Sequence, residues 1–597
     1  MDTIRVANAQ AFWGDRPTAA TELLAQVPEL DFLTMDYLAE VSMSILAIQR
    51  ERDSALGYAQ DFVEVVRNLA AYWATGGRCR LIANAGGLNP LGCAHACVLA
   101  LEKAGCRSMK LGVVSGDNVL PQLIEVGGDE SLFQNLDSTE PLSKVRERLV
   151  TANAYLGCNG IVESLRAGAD IVITGRIADP SMVVAPCVYS FGWDTKDWDR
   201  LAGATVAGHL LECGTHVTGG ISTDWLDVPD PAHIGFPIAE IHRDGSCIIT
   251  KSECSGGHVT LETVKEQLIY EIGDPFRYLS PDVTVSFLDL VLNLVGKDRV
   301  AVQGATGRAR PDTLKVSATY RDGFRAAGML TFFGPQSVQK ARKCGELVLQ
   351  TLREAGHFYR DSIIECLGNA ESIPVPNLLN RNEHAFETVL RMAVESESKS
   401  AVEQFSRALI PLVTAGPQGT TGYAEGRPRV HPVFRYWPCL IETIRCQPRV
   451  DFLTTIDTLA SRATLPTWPP PNTRWHQPQT SPPSAHPKTI DLAGARVLSD
   501  IAYGRSGDKG TGANIGILVR SMHDYEWLNH FLTADRVKRF FEPIGLDSVE
   551  RFELHNLGGF NFVVRGILRR GLRNDAQGKA LAQALLSIPL SDLSMSF

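Results

Sequence analysis

The chain has 597 residues, 44% of them hydrophobic and 21% charged, with a formal net charge of −9 and a pI near 5.9. Such a chain can bury sizeable cores, and its length allows about two to four domains. The acidic balance and the lack of a basic run argue against nucleic acid, and neither an export signal nor a membrane-length apolar run is visible, so a cytoplasmic protein without a membrane partner is expected.

The first 190 residues or so alternate short buried strands with amphipathic segments. "TIRVANA" runs into "QAFWGDR", "LDFLTMD" into "YLAEVSMSILAIQRER", "CRLIANA" into "GGLNPLGCAHACVLALEKAG", "SMKLGVV" into "SGDN" and "GADIVIT" into "GRIADPS". Strand, loop and helix in repetition predict an α/β fold, a parallel sheet with helices on both faces. Thirteen cysteines stand singly, which reads as buried small hydrophobes of a reducing compartment. On the predicted helix through "GCAHAC", Cys93 and Cys97 share a face and His95 points elsewhere, so packing is favoured over a metal.

From about 200 to 460 the pattern loosens into a second α/β lobe. "LAGATVAGHLLEC" and "SVQKARKCGELVLQTLREAG" read as helices, while "AEIHRDGSCIIT" and "DTLKVSATYRDGFRAAGMLTFFG" read as hairpins around Asp-Gly turns. The expected lobes are about 1–195 and 196–463. Residues 464–489, "TLPTWPPPNTRWHQPQTSPPSAHPKT", read as a proline-rich linker. It leads to a C-terminal α+β domain, 490–597, of ferredoxin-like type, read as strand (through "IAYGRS"), helix, two strands and a helix. A chain ending near residue 463 is accordingly expected to fold.

In an open parallel sheet, ligands bind beyond the carboxyl ends of the strands. Four predicted loops bring polar groups there: Asp15 and Arg16; Asn84, Gly86, Gly87 and Asn89; Asp117 and Asn118; Arg176 and Asp179. The structural alternative is ordinary cap and turn chemistry, and for Arg176 a pairing with Asp179. "NAGGLNP" lacks the spacing of a dinucleotide fingerprint and the Lys-Ser/Thr of a phosphate loop. "ECGTHVTGG" sets Glu212 and His216 four apart, a weak metal pair among glycines. Late in the chain, "GRSGDKGTGAN" (Arg505, Ser506, Gly507, Asp508, Lys509, Gly510) is either an anion-binding loop of successive amides or a tight strand-to-helix turn.

"WGDR", "LDFLTMDYLAE", "NAGGLNP", "GIVESLRAGADIVITGRIADPS", "ECGTHVTGG" and "RSGDKGTGANIGI" together resemble the acyclic terpene utilisation family, AtuA, over nearly the whole chain. That family's late loop usually reads SGDKGD, and Thr511 stands here in place of the second acid. The resemblance implies a place in catabolism of branched acyclic terpenes through acyl-CoA chemistry, or in fungal secondary metabolism. The resulting expectation is a lyase or hydro-lyase acting on a branched, carboxylate-bearing acyl substrate, free or as a CoA thioester, with no metal or other cofactor and with homo-oligomeric assembly. Asp179 would be the base, with Arg176 and Asp15 as its catalytic partners. Arg16 and Arg176 would clamp a substrate carboxylate, the amides of Gly86 and Gly87 would hold an enolate oxygen, and Lys509 would meet an anion. A non-catalytic acyl-binding or scaffold subunit is the rival reading. An acyl or CoA transferase with Glu163 or Glu212 as nucleophile is the third.

Overall fold

The computed structural model describes residues 2–38, 42–106, 108–125, 131–368, 371, 373, 375, 385–421, 426–455, 461–464, 495–568, 572 and 577–590. Most of the proline-rich stretch expected at 464–489 lies outside the described residues. In chain order the first elements are β1 (Thr3–Asn8), α1 (Ala19–Gln26), β2 (Phe32–Met35), α2 (Ser42–Arg52), α3 (Gln60–Ala74), β3 (Arg80–Ala83), α4 (Pro90–Lys103), β4 (Lys110–Ser115), α5 (Leu120–Glu125), β5 (Leu149–Ala154), α6 (Asn159–Arg166), β6 (Ile171–Thr174), α7 (Ser181–Phe191), α8 (Trp198–Glu212), β7 (Pro237–His242), β8 (Cys247–Lys251) and α9 (Leu261–Leu268). The centre of the main sheet is parallel, in the order β1, β2, β3, β6, β4.

One row across this sheet shows why the sequence alternates as it does. Ala7, Leu33, Leu81, Ile171 and Leu111 stand in register and share one core with Phe62, Leu69 and Trp73 of α3 and with Cys93 and Cys97 of α4. The two thiols are fully buried while His95 is exposed, so the cysteines of "GCAHAC" serve packing. Helices α7 and α8 touch the sheet strands as well, and the strands are buried on both sides. The α/β expectation is met.

The sheet continues well past residue 195. Antiparallel β7 and β8 and the strands Arg299–Gln303 and Val291–Gly296 extend it beyond β1, and Arg449–Thr454 with Ser461–Thr464 extend it beyond β4. The chain divides into two compact units, Met1–Thr319 with Tyr436–Pro483 and Phe552–Asn561, and Tyr320–Arg435 with Ser484–Arg551 and Phe562–Phe597. The core of the second unit packs the helix Ser337–Glu354 against the antiparallel strands Asp361–Leu367 and Glu387–Ser396.

Two local expectations are corrected. The hairpin expected around Asp322-Gly323 is one long strand, Thr313–Phe333. Asp322 is drawn into ion pairs with Arg360 and Arg435, and Gly323 takes a positive φ of 88° where a Cβ would meet the Ser396 carbonyl at 2.6 Å. The pair therefore lies within a strand instead of closing a turn. Likewise "GRSGDKGTGAN" is neither a loop nor the approach to a helix, because Ala502–Lys509 and Gly512–Val519 form an antiparallel hairpin. These strands lie in a four-stranded sheet with Ser548–Leu554 and Gly559–Arg565, and the helix Gln577–Leu585 packs on the hairpin.

Candidate functional site

Parallel pairing puts the carboxyl ends of β1, β2, β3, β6 and β4 along one edge of the sheet. The residues that follow those ends are Asp15 and Arg16, Asp36, Asn84, Arg176 and Asp179, and Asp117. These residues follow the strand ends along one edge, together with Asp36, which the sequence pattern did not single out.

At its centre lies Arg176, 4% exposed. Its Nη1 donates to the Leu38 carbonyl and sits 3.1 Å from Asp179 Oδ1, and its Nη2 is 3.4 Å from Asp179 Oδ2. The guanidinium lies 4.1 Å from the Tyr155 ring centroid. Burial works against its charge, but Asp179, Tyr155 and Asp36 outweigh that and hold it above its ordinary range. Arg176 is thus pinned from several sides, and among the described residues the carboxylate it meets is Asp179.

Two further carboxyl groups are sealed around it. Asp36 Oδ1 accepts from Asn84 Nδ2 at 2.6 Å and from the Leu38 amide at 3.0 Å, and Asn84 Oδ1 accepts from the Tyr37 amide at 2.7 Å. Burial raises the Asp36 carboxyl well above the usual aspartate range, the Asp179 charge adds to this, and Arg176 pulls it partly back. Asp117 Oδ2 accepts from Asn153 Nδ2 at 2.7 Å and from the Arg176 amide at 2.9 Å, and burial raises it too. Asp179 differs. Its side chain is 28% exposed, and among the described residues no hydrogen-bond donor is aligned on Oδ1.

The remaining expected residues sort into support and surface. Asp15 accepts the amides of Ala11 at 3.0 Å and Arg16 at 2.7 Å, so it shapes the loop after β1. Arg16 reaches the Ile234 carbonyl at 3.2 Å and Glu22 at 3.4 Å, with its side chain 33% exposed. The amides of Gly86 and Gly87 donate to the carbonyls of Thr174 at 3.1 Å and Asn84 at 3.3 Å, so both are engaged within the fold. Asn89 caps α4 through the Gly92 amide at 3.0 Å, and Asn118 accepts the Leu120 amide at 3.1 Å. Glu163 pairs with Arg166 at 2.7 Å on α6. In the hairpin, Arg505 and Ser506 are buried while Asp508 and Lys509 are exposed. Gly510 alone among the six takes a positive φ, 61°, which one tight turn explains.

The family model for the acyclic terpene utilisation family protein AtuA matches residues 4–452, three quarters of the chain by length. The chain belongs to the AtuA family. A second model, the AtuA ferredoxin-like domain, matches residues 496–591, so the C-terminal domain is the ferredoxin-like domain of that family. No curated protein and no solved structure matches the chain. Membership places this AtuA chain with acyclic terpene utilisation, consistent with a catabolic role. Among its described residues no helix is long and apolar enough to cross a membrane, and no group of three or more His, Cys, Asp and Glu is placed to hold a metal ion.

The sequence reading missed several residues of this edge. Asp36 carries the same signal as its neighbours, a polar residue directly after a buried strand. Asn153 lies on β5, which pairs outside the main sheet, Tyr155 directly follows that strand, and no local pattern announces them. Glu212 Oε1 lies 2.9 Å from His209 Nδ1, one turn back on α8. That i, i+3 spacing in "HLLE" was legible but weak.

Proposed function

We propose that the cluster is the active site of a lyase or hydro-lyase that acts on a branched, carboxylate-bearing acyl compound, free or as its CoA thioester. The observation that carries this reading is the split between two aspartates that share one arginine. Asp36 is sealed and drawn toward its neutral form, while the Asp179 side chain is 28% exposed and lies against a buried guanidinium. Pairs of acids whose surroundings push them apart are how acid–base chemistry is divided at neutral pH. Asp179 is the base that removes a proton alpha to the acyl carbonyl. Arg176 fixes its orientation and balances its charge, and Arg16, the more exposed cation of the edge, meets the substrate carboxylate.

The test uses the full chain with 3-hydroxy-3-methylacyl CoA thioesters, the matching α,β-unsaturated thioesters and the free acids. Mass spectrometry reads gain or loss of water and uptake of solvent deuterium at the alpha carbon. Turnover that vanishes in Asp179→Asn, with the fold intact, supports the reading. Neither turnover nor deuterium uptake across the whole panel would count for a non-catalytic acyl-binding subunit.

A further inference from the structure

Helix α8 reaches the same sheet edge from the other side. Asn8, the last residue of β1, donates through Nδ2 to the carbonyls of Leu211 at 2.7 Å and Glu212 at 3.1 Å, two of the acceptors that a helix end leaves open. One turn earlier, Gly208 lies so close to the turn after β6 that a Cβ would meet Pro180 Cα at 2.7 Å. The end of α8 is therefore fastened both to β1 and to the residue that follows Asp179.

That end carries a buried His–Glu pair. His209, 1% exposed, places Nε2 3.0 Å from the Gln267 carbonyl and Nδ1 2.9 Å from Glu212 Oε1. A carbonyl only accepts, so Nε2 bears a hydrogen. The Gln267 side chain donates in return to the His209 carbonyl at 3.0 Å, which locks the ring in place. Between Nδ1 and Oε1 there must then be one more proton. Without it, a ring lone pair and a carboxylate oxygen would face each other at hydrogen-bond distance inside the protein. The position in the last turn of α8 favours a cationic ring as well. Tyr278 and Phe287 close over His209, with ring centroids at 5.8 and 5.9 Å, and Cys213 follows in the chain. The Tyr278 phenol is raised by burial first and then by the charges of Glu212, Asp179, Glu271 and Cys213, so both carboxylates act on one phenol.

We infer that Glu212, holding a proton shared with His209, is the general acid that works opposite the Asp179 base. This rests on the lyase reading above. For elimination of water from a 3-hydroxyacyl compound, Asp179 takes the alpha proton and the C–H electron pair becomes the new C=C bond. The C–O bond breaks with its electrons on oxygen, and the departing hydroxide takes the shared proton and leaves as water. Asp179 ends protonated, the His209–Glu212 pair ends one proton short, and exchange with solvent resets both. His209 is a positioning residue: it holds the shared proton against Glu212 Oε1 at the end of α8.

The experiment follows the two halves separately, with a 3-hydroxy-3-methylacyl CoA thioester in deuterated water. Glu212→Gln should lose elimination by about a hundredfold or more, the usual share of a general acid, while alpha-deuterium uptake stays within about tenfold of wild type. Asp179→Asn should lose both. His209→Asn should slow elimination and change its pH profile, because Glu212 loses the ring with which it shares the proton. Equal loss of both halves in Glu212→Gln, or a slowed His209→Asn with an unmoved pH profile, overturns the assignment. A wild type that does neither half-reaction sinks the lyase reading alone. The shared proton is then judged by imidazole ¹⁵N spectra: a His209 signal that is unchanged by Glu212→Gln refutes it.

Discussion

Replacing Asp36 by asparagine tests the charge arrangement without touching its shape. The new side chain keeps an oxygen where Asp36 Oδ1 accepts from Asn84 Nδ2 at 2.6 Å and from the Leu38 amide at 3.0 Å, and its amide takes the place of a carboxyl hydroxyl. If Asp36 holds its proton in the folded chain well above the ordinary value of 3.8, the native state binds more protons than the unfolded one across that interval. The wild type is then at its most stable below the unfolded value and loses stability as pH rises toward the native one. The Asp36→Asn variant has no such dependence. Each pH unit inside the interval should therefore shift the balance toward the variant by about 1.4 kcal/mol, or about tenfold in the opening equilibrium. A chain of two units gives no single unfolding free energy, so the suitable measurement is hydrogen exchange in peptides covering 32–38, variant against wild type at matched pH. Equal intrinsic exchange cancels in that comparison. A difference that stays flat with pH, or a wild type that gains on the variant as pH rises, would refute a raised Asp36 and with it the division of roles between the two aspartates.

Arg176→Lys keeps a charge but cannot reach the Leu38 carbonyl and Asp179 together, so it should destabilise the main sheet by about 2–3 kcal/mol, read as faster exchange in peptides of β2 and β6; unchanged exchange would return Arg176 to the role of a substrate clamp. Ser181→Ala leaves buried Asp282 Oδ2 without the hydroxyl that meets it at 2.5 Å, and should cost about 1–3 kcal/mol, measured as faster hydrogen exchange in peptides at the starts of α6 and α7. Since Asp282 also binds the Cys158 amide at 2.8 Å, a variant as stable as wild type would deny that Asp282 ties these two loops together. Ending the chain near residue 463 removes the Leu572 carbonyl that accepts from Arg391 Nη2 at 2.9 Å, and takes away much of the second unit. Residues 320–435 should then be cut by protease faster than in the full chain, contrary to the autonomy that the proline-rich stretch suggested; equal resistance would restore it.

What the sequence made legible was placement. Each central strand of the main sheet is a short apolar run closed by a polar residue, and parallel topology alone then gathers those residues on one edge. The helices α4 and α8 and the β7–β8 hairpin were readable for the same reason, a periodic pattern with its own stop signal. The late glycines misled because their cause is not local. At Gly504 a Cβ would press on the Gly516 carbonyl at 2.6 Å, and at Gly578 one would meet Asp508 Cβ at 2.8 Å. Ser506 Oγ, between them, accepts the Ala582 amide at 2.9 Å. Gly504 lets the two hairpin strands lie close and Gly578 lets the helix approach the hairpin, and a local stretch of sequence contains only one partner of each contact. Arg16, Arg176 and Lys509 looked equally available to an anion for the same reason.

Roles, as opposed to places, follow from how a fold balances charge out of water. Three aspartates and one arginine meet at this edge, and an ionised carboxylate without a partner is costly to bury. Asp117, 3% exposed, is met by an amide and a carboxamide, and Asp36, 6% exposed, in the same way, so for both the balance is struck by raising the carboxyl's hold on its proton. That leaves the full charge of Arg176 facing Asp179, the one aspartate of the three with solvent at its side chain. The sequence names four ionisable groups with equal weight. Burial ranks them, and Asp179, the most exposed of the four, is the one that the proposed base requires.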